Sequence, residues 1–91
     1  MSATVRVPTQ LRTLTGGAPE VQVEGATVGQ VLDSLEQAHP GFRQRLLDES
    51  GQLRRFVNVF VADEDVRFLS GLDAQVTDGQ TVSIVPAVAG G

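Results

Sequence analysis

Hydrophobic and polar residues alternate along two short segments near the start of the chain. Residues 4–8 alternate and end at a proline, which cannot donate a backbone hydrogen bond, so the pattern predicts a strand ending near Pro8. A turn signal at residues 15–17 separates it from a second alternating segment at residues 21–23. Together the two segments predict a β-hairpin with a long connection.

The hydrophobic period then changes to that of a helix. Thr27 comes directly before the apolar run, and Gln30 lies three residues after Thr27, which predicts a capping box. Pro40 disfavours helical geometry at His39, so the helix is predicted to end there, with a further turn or two of helix at residues 42–47. The apolar positions fall on one helix face at i, i+3, i+4 and i+7: Val28, Val31, Leu32 and Leu35.

The second half of the chain returns to a period of two. Residues 56–61 form the strongest predicted strand, with valines on one face and phenylalanines on the other. A polar turn at residues 63–65 leads to a short strand predicted at residues 66–68. Asp78-Gly79 predicts a tight turn before the last strand, residues 81–85, whose pairing Pro86 is expected to stop.

This order of elements, ββαβ(β)β, predicts an α+β protein of the β-grasp type. A mixed sheet packed on one main helix buries the helix stripe, and the last strand can lie beside the first in the middle of the sheet. We expect one β-grasp domain over residues 1–85 and a flexible C-terminal tail over residues 86–91, ending in Gly-Gly.

Composition excludes several classes of protein. The 91 residues include no cysteine and one histidine, so there is no thiolate chemistry, no disulfide framework and no two-histidine metal motif. Seven basic against eleven acidic residues give a net charge of −4, which argues against nucleic acid or an anionic membrane as partner. With no signal-peptide pattern and no long apolar run, we expect a cytoplasmic protein.

Three sets of polar side chains are candidates for a site. The carboxylates at residues 63–65 favour a solvated turn over a metal site, because consecutive side chains diverge. His39, beside Pro40 and without a visible partner, favours a helix-terminal surface position over a general base. A local basic cluster faces either an acidic partner or solvent, and its members are Arg43, Arg45, Arg54 and Arg55.

The C-terminal segment offers a different kind of chemistry. Six residues after the last strand span about 20 Å when extended. Glycines lack side chains, so Gly90 and Gly91 can enter a narrow channel and present the terminal carboxylate to a nucleotide. The chain would then be a substrate or carrier, not an enzyme.

The whole chain resembles the ThiS/MoaD group of ubiquitin-like sulfur-carrier proteins, in particular the carriers of cysteine biosynthesis. The segments that carry the resemblance are residues 55–61, 63–68, 71–72 and 78–79 and the tail, residues 85–91. The resemblance implies that a ubiquitin-activating-type adenylyltransferase/sulfurtransferase adenylates the Gly91 carboxylate and converts it to a thiocarboxylate. A cysteine synthase dependent on pyridoxal phosphate (PLP), or another acceptor enzyme, then takes the sulfur, and a JAMM-type metallopeptidase releases the product.

The resemblance also implies a division of roles. Gly91 carries the reacting group, Gly90, Ala89 and Ala87 let the tail lie in a channel, and Val88 makes an apolar contact there. Phe60 and Phe68 either dock partners or belong to the core. No cofactor is expected on this chain, because ATP, Mg²⁺, PLP and zinc would belong to the partner enzymes.

Other interpretations stay open at this point. They are sulfur delivery to molybdopterin, thiazole or a secondary metabolite, a ubiquitin-like protein modifier, and an interaction module with an inert tail. All seven basic residues are arginine. Since an activated carboxyl group is attacked by deprotonated amines, the absence of lysine favours a carrier over a self-conjugating modifier.

Overall fold

The computed structural model describes residues 1–86, which form one five-stranded mixed sheet packed on a main helix. The strands are β1 (Ser2–Arg6), β2 (Glu20–Glu24), β3 (Val57–Val61), β4 (Glu64–Asp65) and β5 (Thr81–Pro86), and the helices are α1 (Val28–Ala38) and α2 (Phe42–Leu46). The strand order is β2-β1-β5-β3-β4. The predicted β-grasp arrangement, with the last strand beside the first, is confirmed.

Strand β5 is the centre of the sheet. It pairs parallel with β1, where Val5 lies opposite Val82, and antiparallel with β3, where Val59 lies opposite Ile84. Their inward side chains meet the apolar stripe of α1, whose four predicted residues are all buried. The core therefore lies between the helix and one face of the sheet, and the opposite face of the sheet is open.

The start of α1 is capped as its sequence indicates, with one change. The Thr27 hydroxyl oxygen accepts from the backbone N–H of Gln30 at 3.2 Å. The Gln30 side chain accepts from the N–H of Ala26, at 2.9 Å, and not from that of Thr27. The reciprocal half of the predicted capping box is therefore shifted by one residue.

Two predictions about the strands are wrong, one about a whole strand and one about where a strand stops pairing. Residues 66–68, predicted as a strand, form a 3-10 helix, Val66–Phe68, because the Asp65 side chain caps that turn by accepting from the N–H of Arg67 at 2.9 Å. The strand that pairs with β3 is Glu64–Asp65 instead. Pro86 does not stop the pairing of β5 either, since it lies in the strand opposite Val57.

The connection between β1 and β2 also has more structure than a loop. It contains a 3-10 helix, Thr9–Thr15, that ends at Gly16 in a left-handed conformation. Leu11 from this turn is buried in the core, and Leu14 packs against its edge. The long hairpin connection therefore covers one end of the core.

Candidate functional site: the root of the C-terminal tail

Strand β5 places the end of the described chain on a rigid support. Pro86 is the last described residue and pairs with Val57, the first residue of β3. The five predicted tail positions, Ala87, Val88, Ala89, Gly90 and Gly91, lie outside the described residues. The site that the structure describes is thus the surface around Pro86, where the described part of the chain ends.

Arg67 fixes the chain opposite Pro86. Its guanidinium donates to the carbonyl oxygens of Val57 at 2.7 Å and Arg54 at 2.9 Å, and to the Asn58 Oδ1 at 2.6 Å. Charge-assisted hydrogen bonds to several acceptors hold a loop more firmly than neutral ones. Sequence reasoning missed this role, since nothing near Arg67 in sequence signals a contact with residues 9 to 13 positions earlier.

A groove of about 490 Å³ opens beside Pro86. We call it the tail-root groove, and its lining residues are Arg45, Asp48, Arg54, Arg55, Phe56, Val57 and Pro86. Helix α2 supplies one wall and the loop before β3 the other. Leu47 and Leu53 form a β-bridge that brings these two walls together. The structure thus gathers three of the four arginines in the predicted cluster.

Among residues 1–86, Asp48 is the one acid that lines this groove. Its carboxylate accepts from the Ser50 hydroxyl at 2.6 Å, and this bond is the main reason that the pKa of Asp48 lies below its ordinary value. The backbone N–H of Gln52 acts in the same direction, and the positive charge of Arg54 makes a smaller contribution. Asp48 therefore stays ionised and organises its own loop.

Phe60 and Phe68 differ in their surroundings. Phe60 is half-buried on the open face of the sheet, opposite Ser83 of β5. Phe68 is 87 % exposed, although phenylalanine side chains are usually buried. Neither belongs to the set of buried core residues. Their docking role stays a prediction.

The other polar candidates do not assemble into a site within residues 1–86. No group of three or more His, Asp or Glu side chains there is placed to hold a metal ion. Asp63 occupies a turn with a positive φ of 71°, and His39 caps the end of α1. Among the described helices, none is both long and apolar enough to cross a membrane.

Comparison with known proteins shows the family to which this chain belongs. A family model described as the ThiS family matches residues 5–91. The chain belongs to the ThiS family. It is 50 % identical to the sulfur carrier protein CysO of Mycobacterium tuberculosis over 93 residues, covering all of both chains. The chain is accordingly a sulfur carrier. It has a ubiquitin-like fold and acts as a co-substrate of enzymes.

Two further relatives widen the comparison. A chain in the crystal structure of the Amycolatopsis orientalis BexX/CysO complex superposes with a TM-score of 0.92 at 54 % identity, covering 98 % of this chain and 99 % of that one. Small archaeal modifier protein 3 of Haloferax volcanii is 43 % identical over 68 residues, which are 75 % of this chain and 73 % of that protein. This ThiS-family carrier thus has relatives named as carriers and as modifiers.

Proposed function

We propose that the C-terminal carboxylate of Gly91 is the group that carries sulfur. The observation that supports this most is the match to a sulfur carrier over the full length of both chains. In the proposed cycle, the carboxylate attacks the α-phosphorus of ATP in an activating enzyme and pyrophosphate leaves. A sulfur nucleophile then displaces AMP, so that one carboxylate oxygen is replaced by sulfur.

The position of β5 supports this role. Its buried residues Val82 and Ile84 anchor the strand between β1 and β3, so the segment after Pro86 starts from a fixed point. Residues 87–91 can extend about 17 Å from that point. Gly90 and Gly91 bring the least bulk to a partner's channel, with Ala89, Val88 and Ala87 behind them.

The acceptor that we propose is an enzyme that makes cysteine. The thiocarboxylate sulfur would add to an electrophilic amino-acid intermediate in a PLP-dependent synthase, and a zinc peptidase of the JAMM type would release the product. CysO of M. tuberculosis, the 50 % identical relative, supports the carrier step. An acceptor of the BexX kind is the second candidate, because the A. orientalis CysO is found in complex with BexX.

Intact-mass measurement tests the loading step. After co-expression with an activating enzyme and a sulfur source, we expect the mass change of one oxygen replaced by sulfur. Deleting Gly91, or adding one alanine after it, should abolish the change. An unchanged mass of the parent chain would contradict the proposal. Conjugates to other proteins that resist thiols would support the modifier function instead.

We further propose that Phe60 and Phe68 dock the activating enzyme. Both lie outside the core, and Phe68 is the most exposed large hydrophobic side chain among residues 1–86. A rigid aromatic ring that is already exposed loses little conformational entropy on binding, which makes it a good interface anchor. The open sheet face beside Phe60 supplies the flat surface around it.

A further inference from the structure

Three arginines of the tail-root groove have no acidic partner in the part of the chain that the structure describes. Arg45, Arg54 and Arg55 are exposed, and none of them makes an ion pair within 4 Å among residues 1–86. The chain as a whole carries a net charge of −4. A concentration of positive charge at one corner of an acidic protein is a feature that electrostatic complementarity can use.

Nearby acids neutralise this charge only in part. One Asp48 oxygen is already held by Ser50 and Gln52 through three hydrogen bonds. Glu49 lines a neighbouring depression and not the groove. Arg43, the fourth arginine of the cluster, also lies outside the groove and pairs with Asp33 at 3.4 Å. The described lining of the groove therefore carries three positive charges against one negative charge.

The groove is held in shape before any partner arrives. The Arg54 Nε donates to the carbonyl oxygen of Gln44 at 3.0 Å, which ties the loop to α2. The Arg54 carbonyl oxygen in turn accepts from Arg67 at 2.9 Å. A site whose walls are already ordered loses less entropy on binding than a flexible one.

The groove also lies close to the point where an enzyme that holds the Gly91 carboxylate must approach the domain. Pro86 is part of its lining, and Gly91 is five residues further along the chain. Those five residues reach about 17 Å at most, so an enzyme that holds the Gly91 carboxylate has its channel entrance near the groove.

We propose that the tail-root groove docks a carboxylate-rich segment at the channel entrance of the enzyme that receives the tail. This inference rests on the proposed function of Gly91. Arginine suits the task for two reasons. Its planar guanidinium binds carboxylates with two parallel hydrogen bonds, and it stays protonated, so it does not attack an activated carboxyl group as a lysine amine does.

A peptide titration tests the groove without any enzyme. With hexaglutamate as probe at about 0.05 M NaCl, we expect NMR shifts at the side-chain Nε–H groups of Arg45, Arg54 and Arg55. In the double variant R45Q/R55Q, the shift that hexaglutamate causes at the remaining Nε–H group, that of Arg54, should be lost. The control R43Q removes one charge from the helix that carries Arg45, outside the groove, and should keep the shifts at all three arginines.

Three results would overturn the proposal. One is the absence of shifts at these arginines. A second is that deleting residues 87–91 shifts the same signals without peptide, which would make the chain's own tail the occupant. A third is that an oligothymidylate shifts them as strongly as hexaglutamate, which would indicate a phosphate site.

Enzyme kinetics test the same surface in its proposed setting. In pyrophosphate exchange by the activating enzyme, R45Q/R55Q should raise the KM for the carrier about three- to tenfold, as expected for two exposed charge pairs, with kcat unchanged. This increase in KM should vanish at about 0.5 M NaCl. The R43Q variant should have the KM of the parent chain. An unchanged KM in the double variant would overturn the proposal. If the parent chain itself is not adenylated, the proposed function fails, while the peptide titration still decides whether the groove binds carboxylates.

Discussion

At the scale of single residues, the position of Phe68 separates binding from stability. Replacing Phe68 by alanine removes a side chain that is 87 % exposed, so the free energy of unfolding should change by less than about 0.5 kcal/mol. If Phe68 anchors the activating enzyme, the same variant should raise the KM for the carrier about tenfold or more. Urea unfolding and pyrophosphate exchange measure the two effects.

Phe42 provides the matched control. It carries the same side chain fully buried in the core, so Phe42→Ala should lower the free energy of unfolding by about 3–5 kcal/mol. A parental KM for Phe68→Ala would show that Phe68 is not an anchor. An equal loss of stability in both variants would contradict the exposure of Phe68.

Arg67 marks the limit of what could be predicted residue by residue. Its neighbours in sequence suggested a strand, in which its side chain would point to solvent. In the fold Arg67 donates to Arg54, Val57 and Asn58, and it reaches this segment because β4 folds back on β3. A contact of this kind depends on tertiary structure, and no local pattern carries it.

At the scale of elements, length decided which predictions held. Helix α1 spans eleven residues, and its apolar stripe repeats often enough to identify the buried face. Strand β4 has two residues, reached through a tight turn in which Ala62 and Asp63 both have positive φ. Ala62 is not a usual choice in such a turn, which glycine, asparagine and aspartate dominate. The sequence therefore indicated a polar turn at residues 63–65 but not the two-residue strand at Glu64–Asp65.

The start of α2 depends on a side chain from another helix. The Glu36 carboxylate of α1 accepts from the backbone N–H of Arg43 at 2.8 Å and from that of Gly41 at 3.1 Å. Glu36→Ala leaves both donors without this acceptor and should lower the free energy of unfolding by about 1 kcal/mol, as loss of an N-cap does. Urea unfolding at neutral pH measures it.

Gln37 is a suitable control for that substitution. It is the next residue of α1, it is exposed, and its side chain makes no hydrogen bond within residues 1–86, so Gln37→Ala should leave stability nearly unchanged. Equal effects at the two positions would mean that helix propensity, and not the cap, explains the change.

At the scale of the whole molecule, fold logic went further than motif reading. The central position of β5 follows from one helix needing one apolar sheet face, and it was predictable. The tail-root groove was not, because Arg45 and Arg55 are ten residues apart and meet only through the bridge between Leu47 and Leu53. Sequence therefore indicated a basic cluster but could not separate Arg43, which is paired, from the arginines of the groove.

The same topology predicts how far the chain can be shortened. A chain ending at Pro86 keeps every core residue found among residues 1–86, so its thermal unfolding should match that of the full chain to within about 0.5 kcal/mol, while sulfur loading is lost. A chain ending at Gln80 lacks Val82 and Ile84, each worth about 1.5–3 kcal/mol on burial, and the strand that joins β1 to β3.

That second loss is large against a total stability of about 5–15 kcal/mol, so the shorter chain should show no cooperative transition by circular dichroism. One outcome would contradict the prediction for the chain ending at Pro86. If the chain ending at Pro86 melts several degrees below the full chain, residues 87–91 contribute to the folded domain. The predicted boundary between a β-grasp domain over residues 1–85 and a tail over residues 86–91 would then be wrong, and the tail could reach a partner's channel only by giving up those contacts.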